Sequence, residues 1–277
     1  MHYVDEGAGE PLLFVHGNPT WSFAFRHLIR SLRSHYRVVA VDHVGCGLSD
    51  KPRRYEYTLR QHRDNLVALI DALDLHQATL IGHDWGGCIG TAAVLCRPDR
   101  FRRLVYMNTA AFVADRLPWR IAVCRWPLIG PLLVRGLNGF SRAALRMAVA
   151  DRRSLTPAAR CGYLAPYSCW ADRIAIQRFV EDIPVSPRHP SRRLLEEIQQ
   201  GLSTLRDRPT LLVWGMKDWC FTPAFLRRFV DVFPDADVVE VPEAGHWVFE
   251  DAPEATLSAI RTFLDACGAS VPSRRPV

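Results

Sequence analysis

What the sequence lacks narrows the classes of protein to which it can belong. No apolar stretch approaches the ~18 to 20 residues that a membrane-spanning helix needs, and no basic start leads into a long apolar segment as in a secretory leader. The eight cysteines and ten histidines form no C-x-x-C pair and no cluster of metal-ligand spacing, so we expect reduced thiols and no metal site. Nucleic-acid motifs and internal repeats are also absent. These absences favour a cytoplasmic protein without a nucleic-acid partner.

The composition is that of an ordinary globular protein. Its 277 residues suffice for one large α/β core with an inserted subdomain, and its hydrophobic and charged fractions are 48% and 23%. The formal net charge of +6 would suit an anionic partner, and much of the arginine lies between Arg116 and Arg193. A solvated basic face is the plainer interpretation of the same residues.

Apolar strands alternate with helical segments over the first 109 residues. Thr58-Leu59-Arg60-Gln61 is a capping-box pattern that opens one helix, and Leu66 and Ile70 share a face of that helix. This alternation predicts a mostly parallel central sheet flanked by helices. The main predicted strands are Pro11 to Val15, Arg37 to Asp42, Ala78 to Ile81, Arg103 to Met107, Pro209 to Gly215 and Asp237 to Val241.

The pattern changes between residues 110 and 207, where prolines and aromatic residues interrupt helical segments that lack buried strands. We interpret this stretch as a helical cap inserted over the carboxyl edge of the sheet, with residues 1–109 and 208–267 forming the core. Residues 268–277 are expected to form a disordered tail. Predicted helices are Trp119 to Leu137, Ser141 to Val149, one beginning at Thr156-Pro157, and a last one over Pro253 to Cys267.

The stretch from Leu80 to Gly87 has the layout of a nucleophile elbow, a sharp turn between a strand and a helix. Gly82 and Gly86 flank the central residue, as the strained backbone of such a turn requires. That central residue is Asp84. A serine there would suggest an esterase, whereas a carboxylate suits attack on a carbon that bears a leaving group, through a covalent ester. An ordinary glycine-rich helix start with an N-terminal acid is the alternative interpretation.

Two further polar residues follow later predicted strands. Asp218 comes after the strand that ends at Gly215, and His246 follows the strand that ends at Val241. Because active groups of an open parallel sheet lie at the carboxyl ends of its strands, we expect a triad with Asp84 as nucleophile. His246 would activate a water that cleaves the ester, and Asp218 would orient the imidazole. The other position that could hold the acid is occupied by Asn108.

Two side chains are candidates for binding a leaving group. The backbone N–H groups after His16-Gly17 and after Asp84 are expected to form an oxyanion hole. The residues at those positions are Asn18 and Trp85, whose side chains carry an amide donor and an indole donor. Together they would bind a small anion, either a halide or a carboxylate.

The segments His16-Gly17-Asn18-Pro19 and Gly82-His83-Asp84-Trp85-Gly86-Gly87 resemble the two signatures of the haloalkane dehalogenase branch of the α/β-hydrolase superfamily. The resemblance extends from Met1 to about Cys267 and implies an α/β-hydrolase fold without a cofactor. It also implies that Asn18 and Trp85 form a halide-binding pair. Members of this branch usually have more chain before the position of Met1, so we expect the sequence to begin at an internal methionine.

Longer stretches resemble the β-lactone decarboxylases of bacterial long-chain olefin biosynthesis. These stretches are Asp42 to Pro52, Asn108 to Phe112, Arg116 to Arg120 and Tyr163 to Tyr167. The resemblance implies conversion of a cis-dialkyl β-lactone to a cis-alkene and carbon dioxide, and assembly with other enzymes of the olefin pathway. A haloalkane dehalogenase with the same five residues is the alternative. An epoxide hydrolase would need ring-opening tyrosines such as Tyr163 or Tyr167, and a non-catalytic scaffold would form no adduct on Asp84.

The cap sequence contains more apolar surface than a small haloalkane requires. This surface suits a hydrophobic small-molecule substrate, although packing of the cap on the core would need many of the same residues. Arginines are interleaved with the apolar residues and favour docking to an acidic partner or peripheral association with a membrane. The expected pocket residues are Trp119, Trp126, Phe112, Tyr167 and Trp247, and the interleaved arginines are Arg116, Arg120, Arg125 and Arg135.

Overall fold

A computed structural model describes residues 1–114 and 117–269 of the chain. Its centre is a seven-stranded sheet in the order β1-β3-β2-β4-β5-β6-β7. All neighbouring strands are parallel except β1, which is antiparallel to β3 at one edge. The strands are β1 Tyr3–Glu6, β2 Pro11–Val15, β3 Arg37–Val41, β4 Ala78–Asp84, β5 Phe101–Thr109, β6 Thr210–Gly215 and β7 Asp237–Val241.

Helices flank this sheet, and the stretch between β5 and β6 contains no strand among the described residues. None of the described helices is both long enough and apolar enough to cross a membrane. The core helices are α1 Arg26–Leu32, α2 Leu59–Ala72, α3 Trp85–Cys96, α10 Pro223–Val232, α11 Val248–Asp251 and α12 Pro253–Ala269. Between β5 and β6 lie α4 Trp119–Ala122, α5 Ile129–Pro131, α6 Gly139–Met147, α7 Pro157–Leu164, α8 Ile174–Glu181 and α9 Arg192–Gly201.

The central strands are buried on both faces because helices cover both sides of the sheet. Leu80 of β4 packs in one apolar cluster with α2, α3, α9 and α10, whereas its neighbour Ile81 packs in a second cluster with α1 and α12. Successive side chains of a strand point to opposite faces, so a continuous apolar run is what such a strand needs. The expected mostly parallel α/β architecture is therefore confirmed.

The segment predicted as one helix over Trp119 to Leu137 is divided into short pieces. Trp126 has an extended ψ of 135° before Pro127, and Leu128 has a φ of +65°. Pro127 lacks an N–H and restricts the residue before it, so the helix cannot pass this point. A 3₁₀ turn over Val123–Arg125 precedes the break, and a π-helical turn over Leu132–Gly136 follows α5.

Other predicted boundaries shift by small amounts. The helix expected over Ser141 to Val149 covers Gly139–Met147, and the last helix reaches Ala269 rather than Cys267. The helix expected at Thr156-Pro157 does begin there, and the Thr156 hydroxyl accepts a hydrogen bond of 3.1 Å from the backbone N–H of Ala159. Residues 270–277 of the expected disordered tail lie outside the described residues.

Buried polar contacts attach the cap to the core at two places. The Tyr163 hydroxyl of α7 donates to Glu250 of α11 at 2.5 Å, and the Arg26 guanidinium binds both oxygens of the same carboxylate at 2.5 and 2.9 Å. At the other place, Asp182 follows α8 and accepts hydrogen bonds from the backbone N–H of Leu59 at 2.7 Å and from the cap's own Ser191 hydroxyl at 2.6 Å. Charge-assisted hydrogen bonds of this length hold both regions of the cap to the core.

Candidate active site

Asp84 occupies the sharp turn between β4 and α3, where its backbone adopts φ +53° and ψ −128°. This conformation is strained for a residue with a side chain, and close packing by glycines makes room for it. A Cβ added at Gly86 would lie 1.9 Å from the Val15 carbonyl oxygen, and one added at Gly17 would lie 2.0 Å from Asp84 Oδ1. The two glycines therefore allow the loop after β2 to touch the Asp84 carboxylate.

The two carboxylate oxygens of Asp84 have different surroundings. Oδ1 accepts a hydrogen bond of 2.8 Å from the backbone N–H of Asn18, and the backbone N–H of Trp85 also donates to the carboxylate. Oδ2 lies 3.6 Å from Nε2 of His246. Burial raises the pKa of Asp84, against the opposing effects of the His246 charge and these two N–H groups. Oδ1 thus occupies the predicted oxyanion hole, and Oδ2 is the oxygen placed to attack.

His246 lies next to Asp84 and is hydrogen-bonded to Asp218 on its other side. Nδ1 of His246 lies 2.8 Å from Oδ2 of Asp218, and Oδ1 of Asp218 accepts from the backbone N–H of Cys220 at 2.7 Å. All three triad side chains are buried. Burial by itself lowers the pKa of His246, but the charge and hydrogen bond of Asp218, together with the charge of Asp84, raise it overall. The three residues predicted from strand ends are thus brought together in a nucleophile, base and acid arrangement.

Asn108 contributes to this arrangement in a way that the sequence did not suggest. It is the penultimate residue of β5 and has a φ of +31°. Its amide nitrogen donates to Oδ2 of Asp218 at 3.0 Å and to the Gly215 carbonyl at 3.1 Å. Its amide oxygen accepts from the Gly215 N–H at 2.8 Å. The residue at the other possible acid position therefore binds the carboxylate of Asp218, the predicted acid. Its place at a strand end was the only sequence signal.

His83 and Phe221 pack against the His246 ring and were also missed. The His83 ring lies 4.5 Å from that of His246, and its Nε2 lies 2.9 Å from the His246 carbonyl oxygen. Phe221 stacks on His246 at 5.4 Å. The next residue, Trp247, donates its backbone N–H to Ala148 of the cap at 2.8 Å. The imidazole is therefore fixed on two faces, and its loop is attached to the cap.

Three buried histidines support the loop that carries the oxyanion hole. The His16 ring accepts a hydrogen bond at Nε2 from the His43 backbone N–H at 3.0 Å, so its proton lies on Nδ1, which donates to the Gly17 carbonyl at 2.8 Å. The rings of His16, His43 and His62 follow one another at 4.5 and 5.3 Å. Neither ring nitrogen of His62 has a hydrogen-bond partner among the described residues. Burial lowers the pKa of all three, to about 4 for His16.

Asn18 and Trp85 offer further donors beside the nucleophile. The Asn18 side-chain nitrogen donates one hydrogen to the Ile176 carbonyl at 3.1 Å, and its second hydrogen is left for another acceptor. No residue that the structure describes accepts a hydrogen bond from the Trp85 indole. Both side chains line the same cavity as Asp84. The predicted pair is therefore placed to bind an anion released near Asp84.

Two cavities with volumes of about 140 and 390 Å3 meet at Asp84. We call them the first and the second cavity. The first contains Phe112 among its lining residues, and the second contains Trp119 and Trp247. The residues that line both are Asn18, Asp84, Ile121, Phe140 and Cys220.

The other two expected pocket residues line neither cavity. The side chain of Trp126 is 55% exposed on the cap surface. Tyr167 is fully buried, and its hydroxyl accepts a hydrogen bond from the Gly47 backbone N–H at 3.2 Å. Tyr163 is likewise absent from both linings, because its hydroxyl is bound to Glu250. Neither tyrosine is therefore placed to open an epoxide ring at Asp84.

Metal-binding and thiol chemistry receive no support from the described part of the chain. Residues 1–114 and 117–269 contain no group of three or more His, Cys, Asp or Glu side chains that could hold a metal ion. All eight cysteines are free. Burial raises the pKa of the Cys88 and Cys220 thiols beside Asp84, so these thiols stay protonated and are poor nucleophiles.

Comparisons with known proteins agree with this geometry. A family model described as the alpha/beta hydrolase fold matches residues 10–138 and 165–253. The cis-3-alkyl-4-alkyloxetan-2-one decarboxylase of Shewanella oneidensis is 41% identical over 95% of this chain and 85% of its own length. Haloalkane dehalogenase 2 of Mycobacterium tuberculosis is 36% identical over 94% of this chain and 90% of its own.

A solved structure shows the same relationship. The haloalkane dehalogenase DatA from Agrobacterium tumefaciens superposes with a TM-score of 0.86 at 29% identity, over 96% of this chain and 92% of its own. The match covers the core and the cap together, and the decarboxylase and the dehalogenase are both relatives over nearly the whole chain. The chain therefore belongs to the α/β-hydrolase fold family, in the branch that contains the haloalkane dehalogenases and the cis-3-alkyl-4-alkyloxetan-2-one decarboxylases.

Proposed function

We propose that this protein decarboxylates cis-3-alkyl-4-alkyl β-lactones to cis-alkenes and carbon dioxide, with Asp84 as the nucleophile. The observation that carries the proposal is that the two carboxylate oxygens of Asp84 have different neighbours. Oδ1 already fills the oxyanion hole, while Oδ2 lies beside His246. The Asp84 side chain lines the first cavity together with two side-chain donors, Asn18 and Trp85. Such a site suits displacement of an anion from a saturated carbon. The 41% identity to two cis-3-alkyl-4-alkyloxetan-2-one decarboxylases supports a lactone carboxylate as that anion.

The reaction needs two steps and no water. Asp84 Oδ2 attacks C4, the ring carbon that bears oxygen, and the C4–O bond breaks so that its electron pair passes to the released carboxylate. Asn18 and Trp85 bind that carboxylate. In the second step the C3–carboxylate bond breaks, its electrons form the C3–C4 double bond, and the C4–Oδ2 bond breaks to restore Asp84. Carbon dioxide and the alkene are released.

This route accounts for the geometry of the product. Backside attack at C4 places the new ester oxygen opposite the bond that leaves. Anti elimination of the Asp84 carboxylate and of carbon dioxide then keeps both alkyl groups on the same side, so a cis-lactone gives a cis-alkene. Attack on the lactone carbonyl would instead need a second set of donors for the substrate's oxyanion, because the Asn18 N–H is engaged with Oδ1.

A haloalkane dehalogenase is the second candidate, supported by the 36% identity to haloalkane dehalogenase 2. Halide would leave toward Asn18 and Trp85, and His246 would activate a water to attack the ester at Asp84. The resulting oxyanion would form at Oδ1, where the N–H of Asn18 already donates. The two functions therefore differ in whether the enzyme ester must be hydrolysed. An epoxide hydrolase is disfavoured because no tyrosine among the described residues lines either cavity, and a non-catalytic scaffold is disfavoured because it would not need an aligned triad.

The test compares a cis-dialkyl β-lactone and a terminal bromoalkane by gas chromatography, with Asp84→Ala and His246→Gln beside the wild type. We expect alkene from the lactone with wild type, continued alkene formation with His246→Gln because no water is needed, and no product with Asp84→Ala. Any bromide released by His246→Gln should stop at one equivalent, since its alkyl ester cannot be hydrolysed.

Three outcomes would contradict this proposal. Bromide and alcohol from the bromoalkane with an unchanged lactone would support the dehalogenase instead. Loss of alkene in His246→Gln to the level of Asp84→Ala would contradict the water-free mechanism. Product that persists with Asp84→Ala would exclude the nucleophile assignment for both functions.

A further inference from the structure

The two cavities share their base and differ in the rest of their walls. Asp84 and Asn18 lie at the common base, and Ile121 and Phe140 line both cavities as well. Beyond that point the first cavity is lined by Phe112, Val180, Ile183, Leu195 and Phe225, and the second by Val123, Leu133, Ala144, Met147 and Trp247. A ligand whose reacting atom lies at Asp84 thus has two separate spaces available.

We infer that each cavity binds one of the two alkyl chains of a branched substrate whose reacting carbon lies at Asp84. This inference rests on the proposed function and adds the assignment of each chain. On the β-lactone, C3 carries the carboxylate and C4 is attacked. Trp85, a donor for that carboxylate, lines only the first cavity, whereas His246 lines only the second. The C3 chain is therefore assigned to the first cavity and the C4 chain to the second.

The charge distribution of the walls agrees with alkyl ligands. Apart from Asp84 at the base, the described residues that line the first cavity include no Asp, Glu, Lys, Arg or His. The second cavity adds His246 near the base and Arg120, which lies 5.6 Å from the ring centroids of both Trp119 and Trp219. Trp119 is 73% exposed, so this charged group stands at the opening of the second cavity rather than within it. The interior of both cavities is apolar.

The volumes predict which chain is longer. The second cavity holds about 390 Å3 and the first about 140 Å3. Each buried CH2 strengthens binding by about fourfold, so a longer chain gains more in the larger cavity. The wild type should therefore prefer 3-methyl-4-octyl-oxetan-2-one to its regioisomer 3-octyl-4-methyl-oxetan-2-one.

Two substitutions block one cavity each. Ala144 lies on α6 and lines only the second cavity, and Ile183 lies after α8 and lines only the first. Both are partly buried, which leaves Ala144→Trp and Ile183→Trp room to fill the cavity without displacing the core. Ala68→Trp, on the exposed face of α2, is the control for adding a bulky side chain.

The experiment measures kcat/KM for alkene formation from the two regioisomers. We expect Ala144→Trp to lower kcat/KM for the 4-octyl lactone by about tenfold or more and to leave the 3-octyl lactone nearly unchanged. Ile183→Trp should have the opposite selectivity, and Ala68→Trp should affect neither. Equal losses on both lactones, or no loss with either variant, would overturn the inference. The reversed pattern would overturn the assignment of the chains.

A binding experiment separates this inference from the proposed function. If the wild type forms no alkene from either lactone, the proposed function fails, and the two cavities are tested with two unreactive nine-carbon ketones. Nonan-5-one has two equal chains and nonan-2-one has one long chain. By quenching of tryptophan fluorescence, nonan-5-one should bind more weakly to both blocked variants and nonan-2-one to only one. Equal weakening of both ketones in both variants would show a single shared pocket.

Discussion

Asp84 and His246 should give the two possible reactions different pH profiles. Alkylation needs ionised Asp84, whose pKa is raised by burial, so every activity should be lost as the pH falls through that raised value. Ester hydrolysis also needs neutral His246, whose pKa lies above 6.5 because Asp218 outweighs burial. We expect kcat for bromide turnover to rise with pH above 6.5, whereas alkene formation from the lactone shows no such second rise. Profiles from about pH 5 to 9 check this, and matching profiles would contradict it.

Asn108 should affect both the stability of the fold and the pH dependence of turnover, because its side chain binds the Asp218 carboxylate. Replacing it by leucine of similar size removes the hydrogen bond to Oδ2 of Asp218 and takes away the oxygen that accepts from the Gly215 N–H. The Gly215 carbonyl loses one of its two donors and keeps the N–H of Asp218 at 3.2 Å. We expect Asn108→Leu to lower the free energy of unfolding by about 1–3 kcal/mol and to move the pH midpoint of the bromide turnover. Urea titration and the pH profile measure the two effects. An unchanged midpoint would mean that Asn108 is structural only.

The five main site residues could be predicted because each lies at a strand end or in the elbow. Asp84 and His246 needed only the order of strands and turns. The roles of Asn108 and His83 could not be predicted, because they depend on contacts with residues more than 100 positions away along the chain. The position of Oδ1 in the oxyanion hole could not be predicted either, because it depends on interatomic distances that residue spacing does not determine.

At the scale of elements, the cap was harder to predict than the sheet. The strands are continuous apolar runs, and the bounds predicted for β7 agree with the structure. In the cap, Pro127 and the left-handed Leu128 divide one expected helix into several short elements. Helical periodicity persists across such breaks and cannot reveal them, whereas Pro127 was a signal for this break that the predicted helix did not take into account. Trp126 consequently lies on the outer surface rather than in the pocket for which it was predicted.

The outer face of the cap combines exposed apolar side chains with arginines. Leu128 is 87% exposed, Leu132 58% and Trp126 55%, and residues 117–150 contain five arginines and no Asp or Glu. Arg125 donates to the Ile183 carbonyl, and two acids, Asp182 and Glu181, lie near its guanidinium. We propose that this face rests on an anionic membrane surface, which would supply a water-insoluble substrate. Arg116, which was counted in this group, lies outside the described residues.

Sedimentation with lipid vesicles tests this surface. Binding to phosphatidylglycerol vesicles should exceed binding to phosphatidylcholine vesicles and should weaken at high salt. Leu128→Asn keeps a residue that tolerates the left-handed backbone but removes the apolar side chain, and it should reduce binding. Leu48→Asn, at another leucine that is 61% exposed, is the matched control. Equal binding by both variants, or binding to neither vesicle, would contradict the proposal.

For the whole molecule, the three buried histidines predict instability in acid. The pKa of His16 is about 4 in the fold and 6.5 for an ordinary histidine, so this residue alone accounts for roughly 3 kcal/mol of stability. Since the folded pKa is lowered, that stability is present above pH 6.5 and is lost as the pH falls toward 4. His246, with a raised pKa, acts in the opposite sense.

A substitution at His62 tests whether buried neutral histidines make the fold less stable in acid. Its two ring nitrogens have no hydrogen-bond partner in the part of the chain that the structure describes, and its ring stacks on Phe179 at 4.5 Å. His62→Leu therefore removes two unpaired polar atoms and one titrating group while it keeps apolar packing. We expect the free energy of unfolding at pH 5 to increase, with a smaller increase at pH 8. Urea unfolding at both values measures this. A variant that is destabilised equally at the two pH values would contradict the expectation.

The double attachment of the cap determines how a product can leave. One region of the cap is held by the contacts of Tyr163, Glu250 and Arg26, and another by those of Asp182. We therefore expect the cap to stay in place during turnover rather than to open about a hinge. If the proposed reaction takes place, a long alkene would leave lengthwise through the openings near Trp119 and Val185. The apolar contacts between a long chain and the cavity walls favour its binding and also slow its release. A longer chain should consequently raise kcat/KM and lower kcat. Product release, rather than the chemical step, then limits the rate of turnover.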